Sequence, residues 1–153
     1  MSEEGTKRAA LLVAVIVSFT VPFVSSALNI ALPTIGQEFG TDAVTLGWIA
    51  TSYLLASAIF MVPFGRMADI YGRKRLLFYG VSIYSLASML CVTASSTSWL
   101  IAFRSLQGVG ASTMFGPSLA ILASVFPARE RGRALGLSVA SVYLGLSFGP
   151  TLG

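Results

Sequence analysis

The sequence contains no histidine and one cysteine, and charged residues make up 10% of its 153 positions. Without histidine, and with the lone thiol of Cys91, it lacks the commonest ligands of transition metals and any internal disulfide. We therefore expect no metal and no cofactor, and we interpret Cys91 as a small apolar residue within a helix. Soluble globular domains have more charged residues and fewer hydrophobic ones than the 10% and 55% found here.

Charged residues divide the chain into five long uncharged stretches, at 9–37, 43–65, 76–103, 105–128 and 134–153. Each has at least the roughly 20 residues that an α-helix needs to cross a bilayer core of about 30 Å. Prolines inside these stretches are tolerated, because neighbouring helices in a membrane satisfy the freed backbone groups. The sequence predicts an all-α membrane protein, a transmembrane helix bundle with helices near 9–34, 45–64, 76–95, 99–125 and 134–153.

The basic residues fall on alternate connections. Nine of the ten precede the first helix or lie in the second and fourth connections: Lys7, Arg8, Arg66, Arg73, Lys74, Arg75, Arg129, Arg131 and Arg133. Alternating helices put all of them on one side, which the positive-inside bias assigns to the cytoplasm. We predict a multi-pass protein of the cell membrane with a cytoplasmic N-terminus. Topology and anionic lipid then explain the net charge of +4, and we expect no nucleic-acid partner.

Carboxylates are absent from the predicted spans. The six acids lie at the N-terminus or in connections: Glu3, Glu4, Glu38, Asp42, Asp69 and Glu130. Membrane-embedded enzymes need an acid, base or nucleophile pair at depth, so we expect no enzymatic activity. The one charge at depth is Arg104, whose burial costs roughly 3 kcal/mol on insertion scales. Gln107, one turn later, favours an arginine that faces a cavity over one that extends to the outer headgroups.

Small residues recur at every fourth position of the last two helices: Gly108, Ser112 and Gly116 in one, and Gly145, Gly149 and Gly153 in the other. Such rows let helix backbones approach closely in lipid. Pro150 follows Gly149 and interrupts the hydrogen-bond ladder, so the last helix can bend there. We expect a compact bundle.

Two glycines and an acid interrupt the basic cluster of the second connection, "GRMADIYGRKRLL" (65–77). This segment resembles the loop between the second and third helices of major facilitator superfamily transporters, G-x-L-A-D-R-x-G-R-K-x-x-L, with Met67 and Ile70 replacing Leu and Arg. "LIAFRSLQGVGAS" (100–112) resembles the fourth-helix motif of that family. "GLSFGPTLG" (145–153) is similar to its fifth-helix antiporter motif, but the chain stops one residue before the last glycine.

The resemblance implies five of the six helices of the N-terminal half of a transporter, over residues 1–153. The partners it implies are the bilayer, a small-molecule substrate and a C-terminal half missing from this sequence. The activity it implies is efflux of small amphipathic compounds by a proton-coupled antiporter that works by alternating access. "WIATSYLLA" (48–56) and "LNIALPTI" (28–35) resemble the fourteen-helix drug:proton antiporter branch. Val24 and Ser26 stand where the first helix of that branch has Asp and Thr, which leaves proton coupling open.

The resemblance also implies a gating role for the loop. Asp69 is expected to face the positive end of a helix in the missing half. Gly65 would allow close helix approach and Gly72 a tight turn. Arg73 and Glu130 are our candidate ion pair, and Lys74 belongs to the same motif. The residues expected near a central cavity are Arg104, Gln107, Gly108, Asn29, Trp48 and Tyr53.

Two other functions stay open. One is an uncoupled facilitator or importer of sugars or organic acids, which Val24 and the lack of acids at depth favour and "SFGPTLG" disfavours. The other is a five-helix membrane protein that assembles with other subunits and transports nothing.

Overall fold

The computed structural model describes residues 3–152, which form five helices: α1 (Glu3–Phe39), α2 (Ala43–Tyr71), α3 (Arg73–Val92), α4 (Thr97–Val125) and α5 (Ala128–Leu152). All five are long and apolar enough to cross a membrane. No strand occurs within the described range. The predicted all-α transmembrane bundle is confirmed.

Helix α1 begins upstream of the uncharged stretch. Glu3 and Glu4 lie one turn before Lys7 and Arg8, with ion-pair distances of 3.3 and 3.6 Å, and such pairs support a helix at its start. At 1.5 Å per residue, its 37 residues span roughly 55 Å, which is longer than a bilayer core of about 30 Å. The length of α1 therefore exceeds what is needed to cross the bilayer core.

Short links join the helices, so consecutive helices run in opposite directions. At one end of the bundle, the Asp42 carboxylate caps α2 by accepting hydrogen bonds from the backbone N–H groups of Val44 and Thr45, at 3.2 and 3.4 Å. At the same end the hydroxyl oxygens of Thr41 and Thr97 are 2.6 Å apart. This bond joins the α1–α2 link to the start of α4.

Helix α4 is the centre of the bundle and has more buried residues than any other helix. Helices α1, α2 and α3 pack on it, and α5 packs mainly on α1. The contact between α3 and α4 depends on glycines from both sides. A Cβ atom at Gly110 would lie 2.7 Å from the backbone nitrogen of Tyr84, and one at Gly80 would lie 2.6 Å from the hydroxyl of Thr113. These glycines let the two backbones approach closely.

Only part of the row of small residues on α4 packs against another described helix. Gly108 packs against the backbone of α2 at Tyr53, and Ser112 is buried. At Gly116, by contrast, a Cβ atom would meet no described atom within 4 Å. The row is therefore in helix contact at its first two positions and open at the third.

The row on α5 packs against α1. Gly145 meets the α1 backbone, and a Cβ atom at Gly149 would lie 2.5 Å from the Cβ atom of Ser26. The Ser26 hydroxyl donates a hydrogen bond of 3.0 Å to a carbonyl of α5. Pro150 lies inside the last turns of α5, and Gly153 lies outside the described residues.

Candidate functional site

Arg104 lies in the first half of α4 and is 2% exposed. Its Nη1 donates to the side-chain oxygen of Gln107, one turn later on the same helix. Its guanidinium carbon lies 4.3 Å from the centre of the Tyr53 ring on α2, which is a cation–π contact. The side chain therefore lies inside the bundle and does not extend to the outer headgroups.

Gln107 connects this group to α3. Its side-chain nitrogen donates to the hydroxyl of Ser88 at 2.7 Å, and that hydroxyl donates to the carbonyl of Tyr84, also at 2.7 Å. Arg104, Gln107, Ser88 and Tyr53 are called the arginine cluster below. Ser88 was not predicted from the sequence, because a serine in a membrane helix usually bonds its own backbone and carries no further signal.

Three buried polar side-chain atoms have no hydrogen-bond partner within residues 3–152: the Nε of Arg104 and the hydroxyls of Tyr84 and Ser25. Leaving a buried donor unpaired costs about 1–3 kcal/mol. The arginine cluster thus keeps hydrogen-bonding capacity that the described residues do not use.

A cavity of about 520 Å³ opens beside the cluster, between α1, α3 and α4. Its lining is mostly apolar and includes Val24, Cys91, Arg104 and Gln107, with Glu38 at the exposed end of α1. This volume is in the range of small-molecule pockets. Apart from Glu38, its polar side chains come from α3 and α4, and the α1 wall is apolar at the level of Val24.

Two of the residues expected near a central cavity between two halves lie on the surface of this bundle. Asn29 and Trp48 are exposed and do not line this cavity. Tyr53 is 6% exposed and forms the aromatic side of the cluster. Gly108 contributes by letting α4 pack on α2 at Tyr53.

The second connection forms a separate group at the other end of the bundle. Arg73 pairs with Asp69 one turn earlier, with a nitrogen–oxygen distance of 3.1 Å, and donates from Nη1 to the carbonyl of Ala120 on α4 at 3.1 Å. Between them, Gly72 has φ 101°, a left-handed value that favours glycine, so α2 can end and α3 begin at one residue. Asp69, Gly72 and Arg73 are called the gating link below.

The expected ion pair between Arg73 and Glu130 is wrong. Within residues 3–152, Arg73 is paired with Asp69, and Glu130 forms no ion pair. The reason is local. Asp69 lies one helical turn before Arg73 and reaches its guanidinium, and Nη1 of the same guanidinium donates to the carbonyl of Ala120 near the end of α4. Gly65 also makes no close contact in the described part of the chain. Lys74 lines a cavity of about 610 Å³ beside the gating link, together with Arg73.

The sequence matches the family model described as Major Facilitator Superfamily over residues 14–153. It is 39% identical over 127 residues to the multidrug resistance protein Stp of Mycobacterium tuberculosis (strain CDC 1551 / Oshkosh), covering 82% of this chain and 24% of the relative. It is 38% identical over 128 residues to the riboflavin transporter RibZ of Clostridioides difficile (strain 630), covering 84% and 28%. A third relative is the cephamycin export protein CmcT of Amycolatopsis lactamdurans, 34% identical over 153 residues, covering 99% and 32%. The chain thus spans about a quarter to a third of the length of these relatives.

Proposed function

The chain belongs to the major facilitator superfamily, and from that membership we propose that it is the first part of an efflux transporter for small amphipathic compounds. The observation that carries the proposal is the arginine cluster, a group of polar side chains buried at the wall of a drug-sized cavity within the membrane spans. An apolar cavity with a few fixed polar groups suits a ligand that is itself part apolar and part polar. The names of two relatives, a multidrug resistance protein and a cephamycin export protein, support export as the direction.

We place the substrate path between this bundle and a second half that follows it in a longer protein. Alternating access by two halves needs contacts that form and break at the membrane surface. The gating link suits this role because Asp69 is largely exposed, with 64% of its side-chain surface accessible, although it is paired with Arg73. A helix end in the second half could therefore approach Asp69 without any rearrangement of the link. In this arrangement the N-terminus and the gating link are cytoplasmic.

Proton coupling is the less supported part of the proposal. The first helix carries Val24 where the drug:proton antiporter branch has an acid, and Val24 lines the cavity beside Arg104. This observation favours a second candidate, a facilitator without proton coupling, and the relative named as a riboflavin transporter is compatible with it. Dissipating the pH gradient separates the two: a coupled antiporter loses substrate accumulation against a gradient, whereas a facilitator equilibrates its substrate at an unchanged rate.

Transport is tested with the protein expressed at its native length in bacteria that lack their main drug pumps. The probe is N-phenyl-1-naphthylamine, a neutral aromatic compound that fluoresces in lipid. We expect lower accumulation than in cells that carry an empty vector. Unchanged accumulation of this probe and of a panel of amphipathic antibiotics would contradict the efflux function. If the protein instead copurified with another membrane protein and moved no probe, the assembly role would be favoured.

Orientation needs its own measurement. An epitope tag placed before residue 3 should be cut by protease in inside-out vesicles and protected in intact cells. Cleavage in intact cells would contradict a cytoplasmic N-terminus.

A further inference from the structure

The positive charge of Arg104 has no carboxylate to neutralise it inside the described bundle. The three ion pairs found within residues 3–152 all lie at the helix ends, and none includes Arg104. The acids of the sequence lie in the terminal turns of helices or, for Asp42, in a link, so none lies at the depth of the arginine cluster. A buried cation without a partner is unfavourable and marks a site where an opposite charge is expected.

The present partners of the guanidinium are neutral. They are the amide oxygen of Gln107 and the ring face of Tyr53. A guanidinium has five N–H donors, and Nε has no partner within the described residues. Donors therefore remain for a carboxylate or sulfonate, which guanidinium groups bind with two parallel hydrogen bonds.

The cavity wall facing the cluster is apolar where a counter-charge would be needed. Val24 of α1 lines the same cavity as Arg104 and occupies the position at which the antiporter branch carries an Asp. Glu38 lines the cavity only at its exposed outer end. Arg104 lies seven residues after Thr97 at the outer start of α4, roughly 10 Å deeper in the membrane at 1.5 Å per residue. Glu38 is therefore not the ion-pair partner of Arg104.

We propose that the cavity between α1, α3 and α4 binds an amphipathic organic anion, with the acid group on Arg104 and the apolar body against α1. This inference rests on the proposed transport function and adds the substrate class to it. The volume of about 520 Å³ accommodates a body of two or three fused or linked rings. An anion supplies the charge that the described spans lack.

Two fluorescent probes with the same aromatic body test this proposal. 8-Anilinonaphthalene-1-sulfonate carries a sulfonate, and N-phenyl-1-naphthylamine is its neutral counterpart. Binding of each is measured to the native-length protein in nanodiscs of zwitterionic lipid, with empty nanodiscs subtracted. For Arg104→Gln we expect the affinity for the sulfonate to fall tenfold to about a hundredfold, the range for a hydrogen bond to a charged group, and the affinity for the neutral probe to change by less than about threefold.

A second pair of variants leaves the arginine in place. Val24→Asp puts a carboxylate on the cavity wall, and Val24→Asn is its neutral control of the same shape. We expect the aspartate variant to lose the sulfonate as Arg104→Gln does, because the new carboxylate neutralises Arg104, and the asparagine variant to retain it. This pair decides the question even if Arg104→Gln fails to fold.

The outcomes separate the binding site from the transport function. Equal losses for both probes, or an unchanged affinity for the sulfonate in Arg104→Gln and Val24→Asp, would overturn the anion site. Selective binding of the sulfonate with no transport of either probe would overturn the transport function and support the anion site.

Discussion

The guanidinium carbon of Arg104 lies 4.3 Å from the centre of the Tyr53 ring, so the one charged side chain buried among the described residues contacts an aromatic face from a different helix. Both side chains are buried, at 2% and 6% exposure. A cation–π contact away from water contributes about 2 kcal/mol, more than at an exposed site. The contact holds α2 and α4 together at the level where the arginine cluster is built.

Removing the ring should therefore weaken the bundle. We expect Tyr53→Leu to lower the free energy of unfolding by about 2 kcal/mol, because leucine is apolar but has no π face. Tyr53→Phe keeps the ring and should remain within about 0.5 kcal/mol of the unsubstituted protein. Thermal unfolding in detergent measures both. Equal losses in the two variants would assign the effect to the phenol hydroxyl and contradict the cation–π role.

The gating link leads to a prediction about transport and not about folding. Asp69→Asn removes the negative charge from a largely exposed side chain, so it should abolish transport while the amount of protein in the membrane stays the same. The matched control is Arg75→Gln, which changes one charge in the same loop at a position that the motif leaves open and outside the ion pairs of the described chain, and it should leave transport unchanged. Efflux of N-phenyl-1-naphthylamine and a membrane immunoblot are the two readouts. Transport at the normal rate in Asp69→Asn would exclude a gating role.

Much of the fold could be predicted because few kinds of backbone structure can span a bilayer. Twenty uncharged residues between charges define a span whatever their order. The placement of Arg104 and Gln107 on one helix face also follows from local geometry, since residues three apart are neighbours on a helix. These features depend on positions that lie close together in the chain.

Partners from other helices could not be predicted. Tyr53 was expected near a cavity, but its contact with the guanidinium of Arg104 arises only because α2 packs on α4 at close range. Ser88 meets Gln107 because α3 packs on α4, and nothing in its local sequence distinguishes it from other helix residues. The partner of Arg73 shows the same limit. Four acids lie on the same predicted side, and the turn at Gly72 together with the reach to α4 selects Asp69.

The cap of α2 should make stability depend on pH. The hydroxyl of Thr45 donates to the Asp42 carboxylate at 2.6 Å and, with the backbone N–H groups of Thr45 and Val44, lowers the pKa of Asp42 below its ordinary value of 3.8. A lowered pKa in the folded state means that the ionised cap stabilises the fold above the ordinary pKa, and that this contribution is lost as the pH falls through the lowered value.

Asp42→Asn is the matched control, because asparagine also caps helices but does not ionise. We expect the unsubstituted protein to be the more stable of the two at neutral pH, and the difference to shrink at an acidic pH below the ordinary pKa of 3.8. Thermal unfolding at both pH values measures it. A difference that stayed constant across this range would contradict the ionised cap.

Gly→Ala substitutions at two positions of α4 should change the free energy of unfolding differently, because only one of the two glycines packs against α3. At Gly110, a Cβ atom would lie 2.7 Å from the nitrogen and 2.9 Å from the Cα atom of Tyr84, and these backbone atoms move only if α3 separates from α4. We expect Gly110→Ala to lower the free energy of unfolding by about 1–3 kcal/mol, the usual cost of overpacking. The same separation would lengthen the 2.7 Å bond between Gln107 and Ser88, so binding of the sulfonate probe should weaken as well. Gly116 lies six residues further along the same helix, where a Cβ atom would meet no described atom within 4 Å. Because alanine has the higher helix propensity, Gly116→Ala should be neutral or stabilising by up to about 1 kcal/mol. Thermal unfolding and probe binding on both variants provide the check, because a similar loss at the two positions would mean that close packing of α3 on α4 does not support the arginine cluster.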